Sequence, residues 1–176
     1  MAVDRLFFAA FPDSPIAAEV ARLTPTLLAA EHLRGMPIAA YRLHVSLFGV
    51  RVPQDLPHDL VAAARRAAGR IAMPPFAVAF NAVGGFGGGN PSQRPLVLYG
   101  DEGAVGFAML QERLLAAMGR KANPHYTPHM TIAYGDALPT RRFVEAVTWT
   151  VRSFVLVHSL VGKSRHVLLG KFPLRD

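Results

Sequence analysis

Apolar and polar positions alternate along much of this chain, which predicts β-strands because successive side chains on a strand point to opposite faces. Strands are predicted at residues 3–10, 40–50, 76–84, 94–100, 126–135, 148–160 and about 165–172, some from this alternation and others from short apolar runs. The second and the fifth of these segments each carry a histidine followed two residues later by a hydroxyl residue, inside the alternating pattern. Strands are therefore expected to form much of the structure, and two of them share this polar pair.

Apolar residues at helical spacing predict helices between these strands. One helix is expected to begin near Asp13 or Ser14, with Pro15 in its first turn, and to extend to about His32, with a bend or break at Pro25. Three more are predicted: within residues 54–71, from about Gly103 to Met118, and a short one near 139–146. Helices and strands mix in both halves without a linker, which predicts one α+β domain over residues 1–176.

A glycine-rich segment at residues 84–89 lies between two of the predicted strands. A phosphate-binding loop would lead from a strand into a helix and would carry Lys-Ser or Lys-Thr, and this segment does neither. We therefore expect a flexible hairpin connection here, and no Walker-type nucleotide site.

The polar face of the strand at residues 40–50 collects four chemically active side chains: Arg42, His44, Ser46 and Phe48. The opposite face is aliphatic and suits a protein core. A cation, an imidazole, a hydroxyl and an aromatic ring are the groups that a phosphate and a base would need. The fifth segment repeats part of this pattern, because His129 and Thr131 share one face over an apolar back.

Three His-x-(Ser/Thr) triplets occur in the sequence, and their surroundings separate them. His125 follows Asn123 and precedes Pro128, which predicts a loop. His44 and His129 instead lie within apolar alternation. Two triplets are therefore candidates for paired strands with a shared function.

Composition and charge narrow the possible classes of protein. With 19 Lys and Arg against 12 Asp and Glu, the net charge of +7 favours phosphate-bearing partners, although the basic residues are too scattered for a long nucleic-acid footprint. The lack of cysteine excludes disulfides, thiol nucleophiles and Cys-based metal sites. The N-terminal apolar run is too short for a signal peptide, and no run approaches the ~20 residues of a membrane span. A monomeric cytoplasmic protein without membrane contact is expected.

The paired His-x-(Ser/Thr) segments resemble the motifs of the two-histidine phosphoesterases. More closely, the chain resembles the LigT-like RNA 2′,3′-cyclic phosphodiesterases, which are also described as 2′-5′ RNA ligases. The likeness extends to the N-terminal "RLFFAAFP", to Pro128 before the second motif, and to the terminal "HSLVG…HVLLGKFPL". His44 and Ser46 match the first motif, and His129 and Thr131 match the second.

This resemblance implies a bilobal α+β fold, with two antiparallel β-sheets related by an approximate twofold around a central cleft and with helices on the outside. It also implies metal-independent cleavage of 2′,3′-cyclic phosphodiesters at RNA ends or in nucleotides, possible 2′-5′ RNA ligation, and no cofactor. The motif strands would face each other across the cleft.

Three features depart from the family pattern. The first motif usually continues as His-x-Thr-Leu-x-Phe-Leu-Gly, whereas here Phe48 and Gly49 follow Leu47 directly. An arginine often found after the second motif is Tyr134, and a tyrosine common near the final strand is His166. The four motif residues are intact, so these departures leave the substrate open.

Opening a cyclic phosphodiester requires a base for water and an acid for the departing ribose oxygen, and histidine can do either near neutral pH. We expect His129 to be the base and His44 the acid, with the roles exchanged in ligation. Ser46 and Thr131 would donate hydrogen bonds to the non-bridging oxygens. Further substrate contacts are expected from two kinds of side chain: the cations Arg42, Lys163 and Arg165, and the aromatic residues Phe48 and Tyr126.

Two other classes of function stay open. A His-based metal hydrolase would use His125 and His129 on one strand face, but zinc needs three or four ligands and the nearest acidic residue is Asp136. A non-catalytic RNA- or nucleotide-binding module is supported by the positive charge and by the altered substrate-side residues. Survival of activity in EDTA would argue against the first, and nucleotide binding without turnover would favour the second.

Overall fold

The computed structural model describes residues 3–86, 90, 93–100, 102–163 and 165–176. Within these ranges the α-helices are α1 (Ser14–Ala30), α2 (His58–Gly69) and α3 (Val105–Ala117). The β-strands are β1 (Val3–Ala10), β2 (Gly35–Pro37), β3 (Val45–Pro53), β4 (Phe76–Gly84), β5 (Arg94–Tyr99), β6 (His129–Gly135), β7 (Arg142–Val151), β8 (Ser153–Leu160) and β9 (Arg165–Pro173). Short 3₁₀ turns lie at Ala40–Arg42 and Glu102–Ala104.

The strands form one antiparallel sheet in the order β7-β4-β5-β6-β3-β1-β8-β9, and β2 pairs with the far end of β6. The sheet divides into two four-stranded halves, because β6 and β3 are joined by a single residue pair, Val45 with Met130. Each half therefore places its histidine motif at the junction. This architecture confirms the predicted α+β fold, and the two antiparallel sheets that were expected are the two halves of one continuous sheet.

The helices pack on one face of this sheet. α1 contacts β6 and β7, α3 contacts β3 and β4, and α2 contacts β9 and α3. Phe107 of α3 is fully buried and packs its ring against Phe80 and Trp149. Because α3 contacts strands of both halves, one hydrophobic core spans the junction and fixes the two histidine strands relative to each other. None of the helices in the described residues is long and apolar enough to cross a membrane.

Several predicted elements are confirmed, including β1, β4, β5 and the helix α2. α1 continues through Pro25, and Thr24 Oγ1 donates a hydrogen bond to the carbonyl of Val20 at 2.8 Å in the same turn. The helix ends before His32, whose φ of +54° is incompatible with a right-handed helix. The glycine-rich segment joins β4 and β5, which are antiparallel neighbours as expected for a hairpin, and residues 87–89 lie outside the described residues.

The prediction of a short helix near residues 139–146 is wrong. This segment is largely the first half of β7, which pairs with β4 from Val83 opposite Arg142 to Phe76 opposite Val151. The predicted strand at 148–160 is accordingly two strands, since β7 ends at Val151 and β8 begins at Ser153. Tertiary pairing with β4 overrides the local preference here, because a long edge strand gains a full ladder of hydrogen bonds.

The strand predicted at residues 40–50 also differs in the structure. Its first part is a 3₁₀ turn and β3 begins only at Val45. A β-bulge then shifts the register, so that Ser46 lies opposite Ala9 whereas Phe48 lies opposite Phe8. Since Phe8 and Ala9 point to opposite faces of β1, Ser46 and Phe48 also point to opposite faces. The prediction that Phe48 shares the polar face is therefore wrong.

Candidate active site

The four motif side chains line one cleft on the sheet face opposite the helices: His44, Ser46, His129 and Thr131. Their positions follow from the junction between the halves, where Val45 and Met130 pair and are completely buried. The residues on either side of each buried partner point to the other face. Because the pairing is antiparallel, the register places the first histidine opposite the second hydroxyl, and the first hydroxyl opposite the second histidine.

The cleft has a volume of about 510 Å³ and suits an anionic ligand. The cations Arg5 and Arg42 line it, together with the polar side chains of Tyr134, Ser159 and His166. Among the described residues, no aspartate or glutamate lines this cleft. A negatively charged group therefore meets cations and hydrogen-bond donors there without a carboxylate to repel it.

The two motif histidines are held in the same way by the chain just before them. His44 Nδ1 lies 2.7 Å from the carbonyl oxygen of Arg42, and His129 Nδ1 lies 2.7 Å from the carbonyl oxygen of Thr127. A carbonyl oxygen only accepts hydrogen bonds, so each Nδ1 carries a proton and donates it. The Nε2 atom of each neutral ring is therefore unprotonated and able to accept a proton.

The ring of His44 lies among other rings. Its centroid is 5.3 Å from that of Phe7, 5.5 Å from that of Phe11 and 6.0 Å from that of His166. Burial among these groups lowers the pKa of His44 below its ordinary value, because a charged imidazolium is poorly solvated there. The hydrogen bond to the Arg42 carbonyl opposes this change in pKa, while the positive charges of His166, Arg42 and His129 reinforce it.

The ring of His129 meets an aromatic residue as well. Phe86 contacts it edge to face with the centroids 4.7 Å apart. Burial lowers the pKa of His129, and the hydrogen bond to the Thr127 carbonyl partly opposes that change. Both histidines are thus poised to give up a proton more readily than an exposed imidazole.

The two aromatic residues expected to stack on a base lie away from this cleft. Phe48 packs on the core side, where the Arg120 guanidinium lies 5.1 Å from its ring centroid. Phe48 and Tyr126 both line a second depression, separate from the cleft. The Tyr126 hydroxyl donates a hydrogen bond to the carbonyl oxygen of Ser46 at 2.9 Å. Burial raises the pKa of Tyr126, so this hydroxyl stays protonated and ties the segment before β6 to β3.

The three predicted cations are placed differently from one another. Arg42 lines the cleft with the motif residues. Arg165 lines an adjoining groove that also includes Arg42 and His166. Lys163 is exposed in the turn after β8 and is not among the residues that line either cavity. His125 is also exposed, in the turn before β6, and the described residues contain no group of three or more His, Cys, Asp or Glu arranged to hold a metal ion.

Several residues that line the cleft or contact its histidine rings were not identified as site residues from the sequence: Arg5, Phe7, Phe11, Phe86 and His166. No sequence signal marks Phe7, because it stands in the uniformly apolar run of Leu6, Phe7 and Phe8; the structure places it on the cleft face, where it pairs with Gly49 of the histidine strand. Ala9 lies on the same face of β1 as Phe7, and Phe11, just beyond the end of β1, packs against the cluster that includes both. No local pattern marks Phe86, which follows the glycines at the end of β4.

The fold and the paired histidine motifs define the class of two-histidine phosphoesterases. A family model described as the 2′-5′ RNA ligase superfamily matches residues 12–163, and the chain belongs to that family. Membership confirms the predicted family and supports a phosphoesterase or ligase type of function. Among proteins of curated function, none matches the sequence.

Solved structures show the same fold. The crystal structure of E. coli LigT complexed with 3′-AMP has a TM-score of 0.76 at 23% identity and covers 99% of this chain and 100% of that chain. The protein TT0787 of Thermus thermophilus has a TM-score of 0.76 at 23% identity, with 98% of each chain covered. Another structure, described as a phosphoesterase, has a TM-score of 0.78 at 23% identity and covers 98% of this chain and 99% of that chain.

Proposed function

We propose that this protein hydrolyses 2′,3′-cyclic phosphodiesters of nucleotides or RNA ends without a metal ion. The observation that carries the proposal is the crossed arrangement of two histidines and two hydroxyls, with both Nδ1 atoms bonded to backbone carbonyls. Each Nε2 is then available for proton transfer on the side of the cleft. Solved structures of E. coli LigT with 3′-AMP and ATP support a nucleotide-type ligand for this fold.

In the proposed reaction, neutral His129 takes a proton from water at Nε2 while the water oxygen forms a bond to phosphorus. The bond between phosphorus and one ribose oxygen breaks, and protonated His44 gives its Nε2 proton to that oxygen. A ribose hydroxyl and a phosphomonoester result. Ser46 and Thr131 donate hydrogen bonds to the non-bridging oxygens, where negative charge is held as the bond to the leaving oxygen breaks.

The same groups support 2′-5′ RNA ligation if the 5′-hydroxyl of a second RNA chain replaces water. One histidine then takes the proton of that hydroxyl, and the other protonates the ribose oxygen that leaves. Hydrolysis and joining thus differ in the nucleophile and not in the residues that move protons.

An activity panel tests the proposal. Purified protein is incubated in EDTA with 2′,3′-cyclic nucleotides and with RNA that ends in a 2′,3′-cyclic phosphate, and the products are separated by chromatography. We expect turnover that EDTA does not reduce. Loss of activity in EDTA would favour a metal hydrolase, and nucleotide binding without any product would favour a binding module.

The pH profile of this turnover follows from the histidine pKa values. One histidine must be protonated and the other neutral, and burial lowers the pKa of both below 6.5 in the free protein. As the pH rises above both pKa values the acid is lost, and as it falls below them the base is lost. We expect a bell-shaped kcat/KM with its maximum on the acid side of pH 6.5.

The profile of kcat alone is expected to be shifted toward higher pH. A bound phosphodiester anion stabilises the imidazolium form and raises the pKa of the nearby histidines. Steady-state kinetics across a series of buffers at constant ionic strength measure both profiles. A kcat/KM maximum above about pH 7.5 would contradict the assignment of both histidines.

A further inference from the structure

The second depression lies on the helix side of the sheet and contains groups that the proposed reaction does not use. It has a volume of about 510 Å³ and is bounded by β3, by the C-terminal half of α3 and by the segment from Arg120 to Tyr126. Among the described strands, β3 pairs with β6 only at Val45 and continues with β1 alone. The depression therefore forms where the two halves of the sheet separate.

A buried glutamine lines this depression. Gln111 lies on the buried face of α3 and is only 5% exposed. Within the described part of the chain, no group forms a hydrogen bond with its side-chain amide, yet the atom that is both out of reach of solvent and without a partner is Trp149 Nε1. The Gln111 amide therefore reaches solvent through the depression. Such a buried amide costs stability unless a partner meets it, so a ligand in the depression would complete its hydrogen bonds.

Two cations, Arg120 and Lys121, line the same depression, and no aspartate or glutamate does so among the described residues. The Arg120 guanidinium lies 5.1 Å from the ring centroid of Phe48, which also lines the depression. This cation–π contact favours one position of the guanidinium at the rim. An anion there meets two positive charges without a carboxylate to repel it.

A nucleotide matches this combination of groups. Its phosphate suits the two cations. Its base suits the glutamine amide, which offers a donor and an acceptor side by side, as the N7 and N6 edge of adenine requires. The volume equals that of the cleft and lies within the range of small-molecule sites.

Ser46 connects the depression to the cleft. Its side chain lines the cleft, while its carbonyl oxygen accepts the hydrogen bond from the Tyr126 hydroxyl at 2.9 Å. Tyr126 in turn lines the depression. A ligand that holds the segment from Arg120 to Tyr126 against β3 also holds this hydrogen bond, and it therefore restricts the motion of Ser46.

We propose that the second depression is a second nucleotide-binding site, and that its occupation is transmitted to the cleft through Tyr126 and Ser46. Arg120 and Lys121 bind the phosphate, and the Gln111 amide bonds to the base. The binding itself is independent of the proposed function of the cleft, whereas the transmitted effect rests on that function.

A titration of ¹⁵N-labelled protein with 5′-AMP tests the binding, because nuclear magnetic resonance follows the two sites separately. We expect 5′-AMP to shift the side-chain NH₂ signal of Gln111 and the backbone amide signal of Gly49, which lines the depression. The double variant Arg120→Ala/Lys121→Ala should weaken this binding about tenfold or more. Shifts at Thr131 in the cleft should persist in that variant.

The matched control is Arg66→Ala/Arg70→Ala, which removes two exposed cations from the C-terminal end of α2. Its Kd for 5′-AMP at the depression should stay within about twofold of the wild-type value. An equal loss in this control would overturn the site, because it would indicate only the overall positive charge. Shifts confined to the cleft in the wild type would also overturn it.

Gln111→Met separates ligand binding from packing. Methionine keeps an unbranched side chain of similar length and removes the amide, so Tm should be unchanged or higher. The affinity for 5′-AMP, followed at the amide of Gly49, should fall about tenfold. An unchanged affinity would mean that Gln111 serves only packing, and would contradict the proposal.

The two parts of the ligand are tested separately. Adenosine and inorganic phosphate should each bind to the depression about tenfold or more weakly than 5′-AMP, because each uses only part of the site. Equal affinity for inorganic phosphate would contradict a nucleotide site. Equal affinity for adenosine would contradict a role for the two cations.

The rate at saturating cyclic nucleotide tests the transmitted effect, because 5′-AMP then no longer competes in the cleft. We expect 5′-AMP to raise kcat about twofold or more in the wild type, and to leave it unchanged in Arg120→Ala/Lys121→Ala. Tyr126→Phe lacks the hydroxyl that holds Ser46 and should also show no effect of 5′-AMP. An unchanged kcat in the wild type would overturn the transmission through Ser46. If the wild type hydrolyses no cyclic nucleotide, the proposed function fails, but shifts at Gln111 that the double variant loses would still support the binding site.

Discussion

His44→Ala is expected to lower kcat for a 2′,3′-cyclic nucleotide by about 10²–10⁴-fold, and His129→Ala by a similar factor. Each substitution removes the Nε2 atom that the proposed reaction uses, while the hydrogen-bonding hydroxyls remain. Alanine also leaves intact the buried pair of Val45 and Met130 that joins the two halves. Initial rates and circular dichroism, measured on the same preparations, separate a loss of chemistry from a loss of fold.

His125→Ala is the matched control for this prediction. His125 belongs to the third His-x-Thr triplet but is exposed in the turn before β6, so its removal should leave kcat within about twofold. The double variant of both motif histidines should be scarcely slower than either single variant, because groups that act together in one step are not additive. Full turnover by the double variant would contradict the mechanism.

A change of leaving group distinguishes the acid from the base. A phosphodiester with a nitrophenol leaving group does not need an acid, because nitrophenolate departs without a proton. His44→Ala should therefore recover much of its rate on this substrate, whereas His129→Ala should not. Recovery in His129→Ala instead would exchange the two roles.

The sequence predicted the motif side of the cleft because strand alternation is a local property. His129, Met130 and Thr131 lie in a regular segment, and their faces follow from a period of two. Each motif histidine is held by a hydrogen bond to the backbone carbonyl two residues before it, and this shared feature could not be predicted from the sequence. It depends on the conformation of Arg42 and Thr127, and neither belongs to a strand.

Phe48 shows where alternation fails. The bulge beside it depends on how β3 pairs with β1, and a single extra residue sends every later side chain to the other face. The prediction that Tyr126 lies in the cleft is wrong for a related reason, since its hydroxyl bonds to a carbonyl of a strand far away in the chain. The positions of residues that depend on long-range pairing thus cannot be predicted from local sequence patterns.

His166 belongs to the same group of residues. Before the structure, the resemblance to the family implied only that His166 stands where a tyrosine is common. The pairing of β8 with β9 brings it edge to face with Phe7, at 5.6 Å between centroids, and beside His44. The pairing of these strands therefore determines the position of His166 in the cleft, and His166 also lines the adjoining groove.

Thr131→Val is expected to lower kcat/KM for a cyclic nucleotide by about 10²-fold, and Ser46→Ala by a similar factor, with the fold retained. Valine keeps the shape and the strand preference of threonine and removes only the hydroxyl, so the loss reports the hydrogen bond to the phosphate. Thr131→Ser is the matched control and should keep most of the activity. Thermal unfolding should show the same Tm within a few degrees for the three Thr131 proteins.

The crossed register adds a stereochemical consequence to this prediction. Ser46 and Thr131 approach the phosphate from opposite halves of the sheet, so each hydroxyl should serve a different non-bridging oxygen. In cyclic phosphorothioates, sulfur replaces one of these oxygens and is a weaker hydrogen-bond acceptor. Thr131→Val and Ser46→Ala should therefore shift the preference between the Rp and Sp substrates in opposite directions. A shift in the same direction in both variants would mean that the two hydroxyls contact the same oxygen, and would contradict this prediction.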